Sequence, residues 1–220
     1  MQRQVNHCPK SRPGIPWLRE VKRDMPSTNG DTTMKSKLGR WAVFAAGLSL
    51  AMMATPPPAV AQDTDYDLEK KKLEVAQAVE SMVADDPGLQ RFFDDSHGYA
   101  VFPNVGKGGF VVGGAHGTGL VYEGGDLVGQ SSLKQVNVGL QLGGQSYIQV
   151  IFFQGPEDLA RFRAGKLEFS GQVSAVAITE GASADIDYTK GVAVVTKAKG
   201  GLMYEASLGG QTFDYKPIGY

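Results

Sequence analysis

The run Phe102-Pro103-Asn104-Val105-Gly106-Lys107-Gly108-Gly109-Phe110-Val111-Val112-Gly113-Gly114-Ala115-His116-Gly117-Thr118-Gly119 decides the fold. Its glycines alternate with β-formers, and the pattern continues to Phe153 with little charge. A ligand loop needs a few glycines, whereas here they are spread along the whole stretch. Glycine inside a strand weakens it and marks a bulge, a tight bend or a close approach of backbones. The run therefore implies a strongly curved, tightly packed sheet, and it names no chemistry by itself.

Working outward, the period of two predicts strands near 99–103, 108–115, 118–123, 127–131, 135–144 and 146–153. Glu123-Gly124-Gly125-Asp126 reads as a hairpin turn, because paired glycines supply the positive φ such turns need. Pro156 opens a short helix that ends at Gly165, and further strands are expected near 171–179, 191–198, 201–208 and 211–215. Upstream, Leu68, Val75, Val79, Met82 and Val83 recur at helical spacing between Asp65 and Ala84. Asp63, Asp65 and Asp67 suit the positive end of that helix. Asp86-Pro87 then breaks the chain, and Leu89 to Asp95 predicts a second short helix with Phe92 and Phe93 inward. The expected class is α+β: an N-terminal helical segment packed on a curved, glycine-rich, mostly antiparallel sheet that could curl into a barrel. Leu142-Gly143-Gly144-Gln145-Ser146-Tyr147 is echoed by Leu208-Gly209-Gly210-Gln211-Thr212-Phe213, and Lys107-Gly108-Gly109-Phe110 by Lys199-Gly200-Gly201-Leu202. Two copies are too few for a solenoid and suit similar elements within one sheet.

The first 61 residues read as outside the mature domain. Met34 starts a secretory signal, with Lys35, Lys37 and Arg40 ahead of the apolar stretch Trp41–Ala54, and Ala59-Val60-Ala61 as the cleavage site. That apolar stretch is short for a bilayer span. Residues 1–33 lack periodicity and read as an over-extended start, which leaves 62–220 as a single domain. Of the 22 Lys and Arg and the 23 Asp and Glu, nine and three lie in residues 1–61. Residues 62–220 thus hold 13 basic and 20 acidic side chains, a balance that opposes nucleic-acid binding at long range. The single cysteine, Cys8, falls in the removed part, and Gln62 stands where a lipobox would need cysteine, so the domain has no disulfide and no Cys-based metal site.

Familiar catalytic patterns fail one by one. His97 and His116 are the domain's two histidines, and each reads as a polar residue at a helix end or a glycine-rich turn. There is no G-x-S-x-G and no H-E-x-x-H. Ser131-Ser132-Leu133-Lys134 matches S-x-x-K without its partner elements. Asp63 to Glu74 imitates a calcium loop but carries Leu68 where the turn requires glycine. Gly114 to Gly119 continues into strand, not into the helix of a dinucleotide site. No cofactor and no metal are expected. What remains is surface chemistry: Lys70, Lys71 and Lys72 on an amphipathic helix, and Lys107, Lys197 and Lys199 beside glycine turns. The plain alternative is that these are solvated lysines of an ordinary packed helix and of strand edges.

Tyr99-Ala100-Val101-Phe102-Pro103-Asn104-Val105, Lys107-Gly108-Gly109-Phe110-Val111-Val112-Gly113-Gly114, Gly117-Thr118-Gly119, Val138 to Gln145, Lys199-Gly200-Gly201-Leu202 and Glu205 to Gly210 occur in the order of the SYLF family, which the chain resembles over roughly 66–216. The resemblance implies a non-enzymatic phospholipid-binding domain, with Lys70, Lys71, Lys72, Lys107, Phe110, Lys197 and Lys199 as candidate lipid contacts. Eukaryotic relatives also bind phosphoinositides and actin, which an exported bacterial protein does not meet. Val195-Thr196-Lys197-Ala198-Lys199 departs from the aromatic-Ser-Lys form that usually precedes the closing glycine, so the lipid stays open. The expected setting is the periplasm or envelope, with a phospholipid surface as partner. The competing readings are an interaction protein that binds an envelope partner through sheet edges or glycine loops, and an enzyme acting on lipid or cell wall.

Overall fold

The computed structural model describes residues 15, 17–18, 60–109, 112–138, 145–167, 169, 175–199 and 210–218. Helix α1 runs Val60–Asp85, and a 3-10 turn over Pro87–Leu89 leads into α2, Gln90–Asp95. Strands β1 (Gly98–Gly109), β2 (Val112–Glu123), β3 (Asp126–Val138) and β4 (Gln145–Phe153) follow. After α3 (Pro156–Arg163) come β5 (Ala175–Ala177), a 3-10 turn at Ala182–Asp185, β6 (Val192–Ala198) and β7 (Gln211–Pro217). One seven-stranded sheet results, ordered β5-β6-β4-β1-β2-β3-β7, antiparallel except for the β5–β6 pair. The class is α+β, with helix on a curved sheet. Among the described residues the sheet does not close into a barrel, since β5 and β7 remain its edges.

The predicted strand 108–115 straddles the end of β1 and the start of β2, and 118–123 is the second half of β2, which runs on through its glycines. The reason is steric. A Cβ on Gly119 would lie 2.2 Å from the Val101 carbonyl oxygen, and one on Gly117 would lie 2.9 Å from that of Asn104. Both contacts flank the register shift between Val101 and Asn104, where β1 bulges against β2. The glycines thus mark close approach and bending, and only Gly124 and Gly125, at φ +59° and +94°, form the expected hairpin turn. Residues 201–208, expected as strand, and residues 139–144 and 171–174 of two further predicted strands lie outside the described residues.

The bend has a visible consequence across the sheet. Three strands separate β4 from β7, which in a flat sheet would hold them about 19 Å apart. Yet Gln149 of β4 and Gln211 of β7 exchange amide hydrogen bonds at 2.9 and 3.2 Å, and Gln211 also donates to Gln135 of β3 at 3.5 Å. All three glutamines are buried on the concave face. Phe102, Tyr147, Phe153, Phe162 of α3, Phe169 and Phe213 fill the rest of that face. On the outer face Val75, Val79 and Met82 of α1, with Phe92 and Phe93 of α2, pack on Tyr99, Val101, Leu120, Val150 and Phe152. Ile15, Trp17 and Leu18 pack there too. The two echoed segments begin equivalent strands: Tyr147 in β4 and Phe213 in β7 both point into the concave core.

Asp86 ties the end of α1 to the turn before β6. Its buried carboxylate accepts from the Gly88 amide at 2.9 Å and from the amide and hydroxyl of Ser183. Burial alone would raise this carboxyl, but the Ser183 and Gly88 hydrogen bonds and the charge of Arg91 together hold it below its ordinary value of 3.8. A depressed folded pKa gives stability that is present above the unfolded value and is lost as pH falls through the folded one. Asp86→Asn is therefore expected to lower stability at pH 7 and to flatten the acid limb of a stability–pH curve below about pH 4; an unchanged acid limb would refute the assignment. Gly119→Ala is expected to cost about 2 kcal/mol, or about 4–8 °C in Tm. Gly108, where an added Cβ meets nothing within 4 Å, serves as its neutral control in the same melts.

Candidate functional site at helix α1

Helix α1 uses one stripe for the core and leaves another in solvent. Val75 and Val79 are fully buried and Leu68 is half-buried. In the folded chain this apolar stripe is spent on the sheet. The opposite stripe presents Tyr66, Lys70, Leu73 and Gln77 at i, i+4, i+7 and i+11, all exposed. Tyr66 and Leu73, at 71% and 39% exposure, are two of the three exposed large hydrophobic residues among those described.

The lysines differ sharply in their surroundings. Lys71 pairs with Glu74 and Lys72 with Glu69, each at 2.7 Å. Lys70 has no ion-pair partner among the described residues. Such solvent-exposed pairs contribute little stability, but they do neutralise two of the three charges at contact range. Along its length α1 carries three lysines against seven carboxylates.

Lys197 is a structural residue. Its ammonium donates to the Ser81 carbonyl at 3.0 Å and hydroxyl at 2.6 Å, and it pairs with Asp85 at 2.7 Å, pinning α1 to β6. Lys199 is exposed, with its amide bonded to the Ser146 carbonyl. Lys107 approaches the same strand from the other side, its register partner on β4 being Gln145. Lys107 shares strand parity with Val105 of the concave core, so it projects to the face opposite Lys197. Phe110 lies outside the described residues. The seven candidates therefore do not converge on one site. Lys70, Lys71 and Lys72 share α1, Lys197 and Lys199 stand beside it at the end of β6, and Lys107 belongs to the opposite face.

Between α1 and the ends of β4 and β6 lies a cleft of about 340 Å³, lined by Glu74, Gln77, Ala78, Ser81, Ile148, Lys197, Ala198 and Lys199. It offers a cation in Lys199, an anion in Glu74, amide and hydroxyl groups in Gln77 and Ser81, and an apolar lining from Ala78 and Ile148. Sequence reasoning missed Glu74, Gln77 and Ser81, because their meeting with β6 is set by tertiary packing. Tyr66 and Leu73 were legible only as residues left over from the buried stripe.

Other candidates resolve into scaffolding. His97 Nε2 lies 3.0 Å from Glu123, which also accepts from Arg163 of α3 at 2.7 Å, and the Arg163 bond holds the Glu123 carboxyl below the usual range. His116 is an exposed residue inside β2, not a turn residue. Ser131 is buried and donates to the Asp214 carbonyl, while Lys134 is exposed and pairs with Asp214 at 2.8 Å. The S-x-x-K pattern is thus split across the two faces of β3. Among the described residues no group of three or more His, Cys, Asp or Glu could hold a metal, and no helix is long and apolar enough to cross a membrane. No family model matches the chain, and no curated protein matches it.

Lys197→Ala is expected to lower stability by about 1.5 kcal/mol, the order of a charge-assisted hydrogen bond, measured by urea unfolding. An unchanged midpoint would show that the lysine does not anchor α1.

Proposed function

We propose that this protein is a non-enzymatic phospholipid-binding protein of the bacterial envelope, SYLF-like, which meets the membrane through the outer stripe of α1. The observation that carries the reading is the juxtaposition of exposed Tyr66, Lys70 and Leu73 with the cleft that holds Lys199 and Glu74. Tyrosine and leucine suit the interfacial layer, and a lysine between them reaches phosphate. The seven carboxylates of α1 oppose long-range attraction to an anionic surface, so contact is short-range and mainly apolar. Glu74 is already paired with Lys71, so Lys199 is the cleft charge that suits a headgroup phosphate.

The competing interaction-protein reading has in its favour the β7 edge, which is unpaired among the described residues. That edge carries Lys216 and Pro217, residues that discourage strand addition, which leaves the membrane reading ahead.

In a co-flotation assay the full chain is expected to bind zwitterionic phosphatidylethanolamine–phosphatidylcholine vesicles with little response to salt. Tyr66→Ser combined with Leu73→Ser should lower the partition coefficient about tenfold, the order set by losing one to two buried apolar side chains. Absence of flotation at every composition, or a double variant that floats like the parent, would overturn the proposal.

A further inference from the structure

Beyond the cleft beside α1, the outer face of the sheet is left bare among the described residues. Register carries one row across it. Lys199, at the end of β6, donates its amide to the Ser146 carbonyl, Ser146 pairs with Gly106, Gly106 with His116, and His116 with Lys134. A second row joins Gly108 to Gly114 and Gly114 to Val136. Both rows lie on the face that α1 occupies, because Ser146 shares strand parity with Ile148, and His116 with Leu120, of the outer core. Gly106, Gly108, His116, Lys134 and Val136 are all exposed.

Two of these glycines are not required by the fold. Neither Gly106 nor Gly108 has a positive φ. A Cβ on Gly108 would meet nothing within 4 Å, and one on Gly106 only the His116 carbonyl oxygen at 4.0 Å. Gly117 and Gly119, by contrast, have no room for one. Glycine weakens a strand, and where neither a turn nor an internal contact demands it, it marks close approach from outside. The two glycines thus make a smooth floor, and α1 stands beside it as a ridge about 10 Å high.

A ridge next to a floor on one face is self-complementary. Turned about a twofold axis, a second copy lays its helix on this floor while its own floor receives this helix, which is an isologous contact. The apolar groups left over on this face fit such a partner. The three large hydrophobic residues exposed among those described are Tyr66 and Leu73 on the ridge and Val136 on the floor, at 71%, 39% and 71%. Charge fits as well. α1 carries seven carboxylates against three lysines, whereas the floor and its margins present Lys134, Lys199 and Lys216 against Asp214. From Lys199 to Lys134 and from Ser132 to Val136 the floor measures about 19 Å by 13 Å. Two such contacts, counted on both partners, bury on the order of 1,000 Å², the lower end for a specific dimer.

We infer that the protein pairs with a second copy of itself through this face, each α1 seated on the glycine floor of the other. The inference goes beyond the lipid reading and does not rest on it. It sets a condition on it, because the dimer covers the Tyr66–Leu73 stripe that would meet a bilayer. Pairing in solution and contact with a membrane then exclude each other.

Sedimentation velocity of the full chain tests the pairing, and the parent is expected to pass from monomer to dimer as its concentration rises. Gly108→Tyr raises a side chain from the floor where the fold has space for it. It is expected to stay monomeric throughout, with a Tm at low concentration no lower than the parent's. Val136→Glu is expected to weaken the dimer about tenfold from the floor, and Tyr66→Ser with Leu73→Ser to do so from the ridge. A parent that is monomeric at every concentration, or floor variants that pair as tightly as the parent, would overturn the inference. Should Gly108→Tyr fail to fold, Val136→Glu decides. Flotation keeps the two readings apart, since Gly108→Tyr leaves the α1 stripe intact and is expected to float at least as well as the parent. A dimer without flotation sinks the lipid reading alone, and flotation by a chain that never pairs sinks the dimer alone.

Discussion

Between β1 and β2 there is no space for side chains. Gly119 faces the Val101 carbonyl and Gly117 the Asn104 carbonyl so closely that any Cβ would collide. With Ala115 next along the same face, β2 presents almost nothing to the concave side, and the sheet folds in over it. Everything inside the curve depends on that bend. Phe102 of β1 meets Phe213 of β7 at 5.9 Å, and Phe162 of α3 meets both Phe153 and Phe213 at about 5 Å. A flatter sheet would separate these rings and would leave the Gln149–Gln211 amides buried without partners, a cost of about 1–3 kcal/mol for each unsatisfied group. The bulge and the glutamine pair therefore specify one curvature from opposite ends: one makes bending sterically necessary, the other makes too little bending costly.

The two faces of the sheet are finished differently. The concave face is sealed by its own strands and α3, and burial there is complete enough to push the Tyr147 hydroxyl up to about 12. The outer face depends on added elements. α1 is long and well anchored by Lys197, but α2 has only six residues and ends over Tyr99 and Phe152. Tyr122, on the β2 side of Tyr99, is covered instead by Trp17, which lies more than 80 residues upstream.

Much of this was legible in the sequence. The α+β class, the Gly124–Gly125 hairpin and the inward pair Phe92 and Phe93 follow from period and turn chemistry, which act locally. The strand limits did not, because glycine was read as punctuation while Gly117 and Gly119 serve as spacers inside a strand. The lysine set was also only partly legible. Lys107, Lys197 and Lys199 look alike beside their glycines, yet strand parity sends Lys107 and Lys197 to opposite faces, and only the packing of α1 shows that Lys197 is bound to Ser81 and Asp85. The pairing of Gln135, Gln149 and Gln211 left no local sign at all, since it depends on how far the sheet curls.

The anchoring of α1 also decides how a membrane contact would work. A helix that inserts its apolar stripe must first leave the sheet, exposing Val75, Val79 and Met82 at about 1.5–3 kcal/mol each. A helix held by Lys197 and by its buried stripe can instead meet the bilayer with the residues it already exposes, at no cost in reorganisation. The contact is then small: two apolar side chains, one lysine with no ion-pair partner among the described residues, and a cleft beside them. Small contacts on a net-acidic helix give weak binding to any one headgroup. Stable residence on a membrane would therefore need a second contact beyond this stripe.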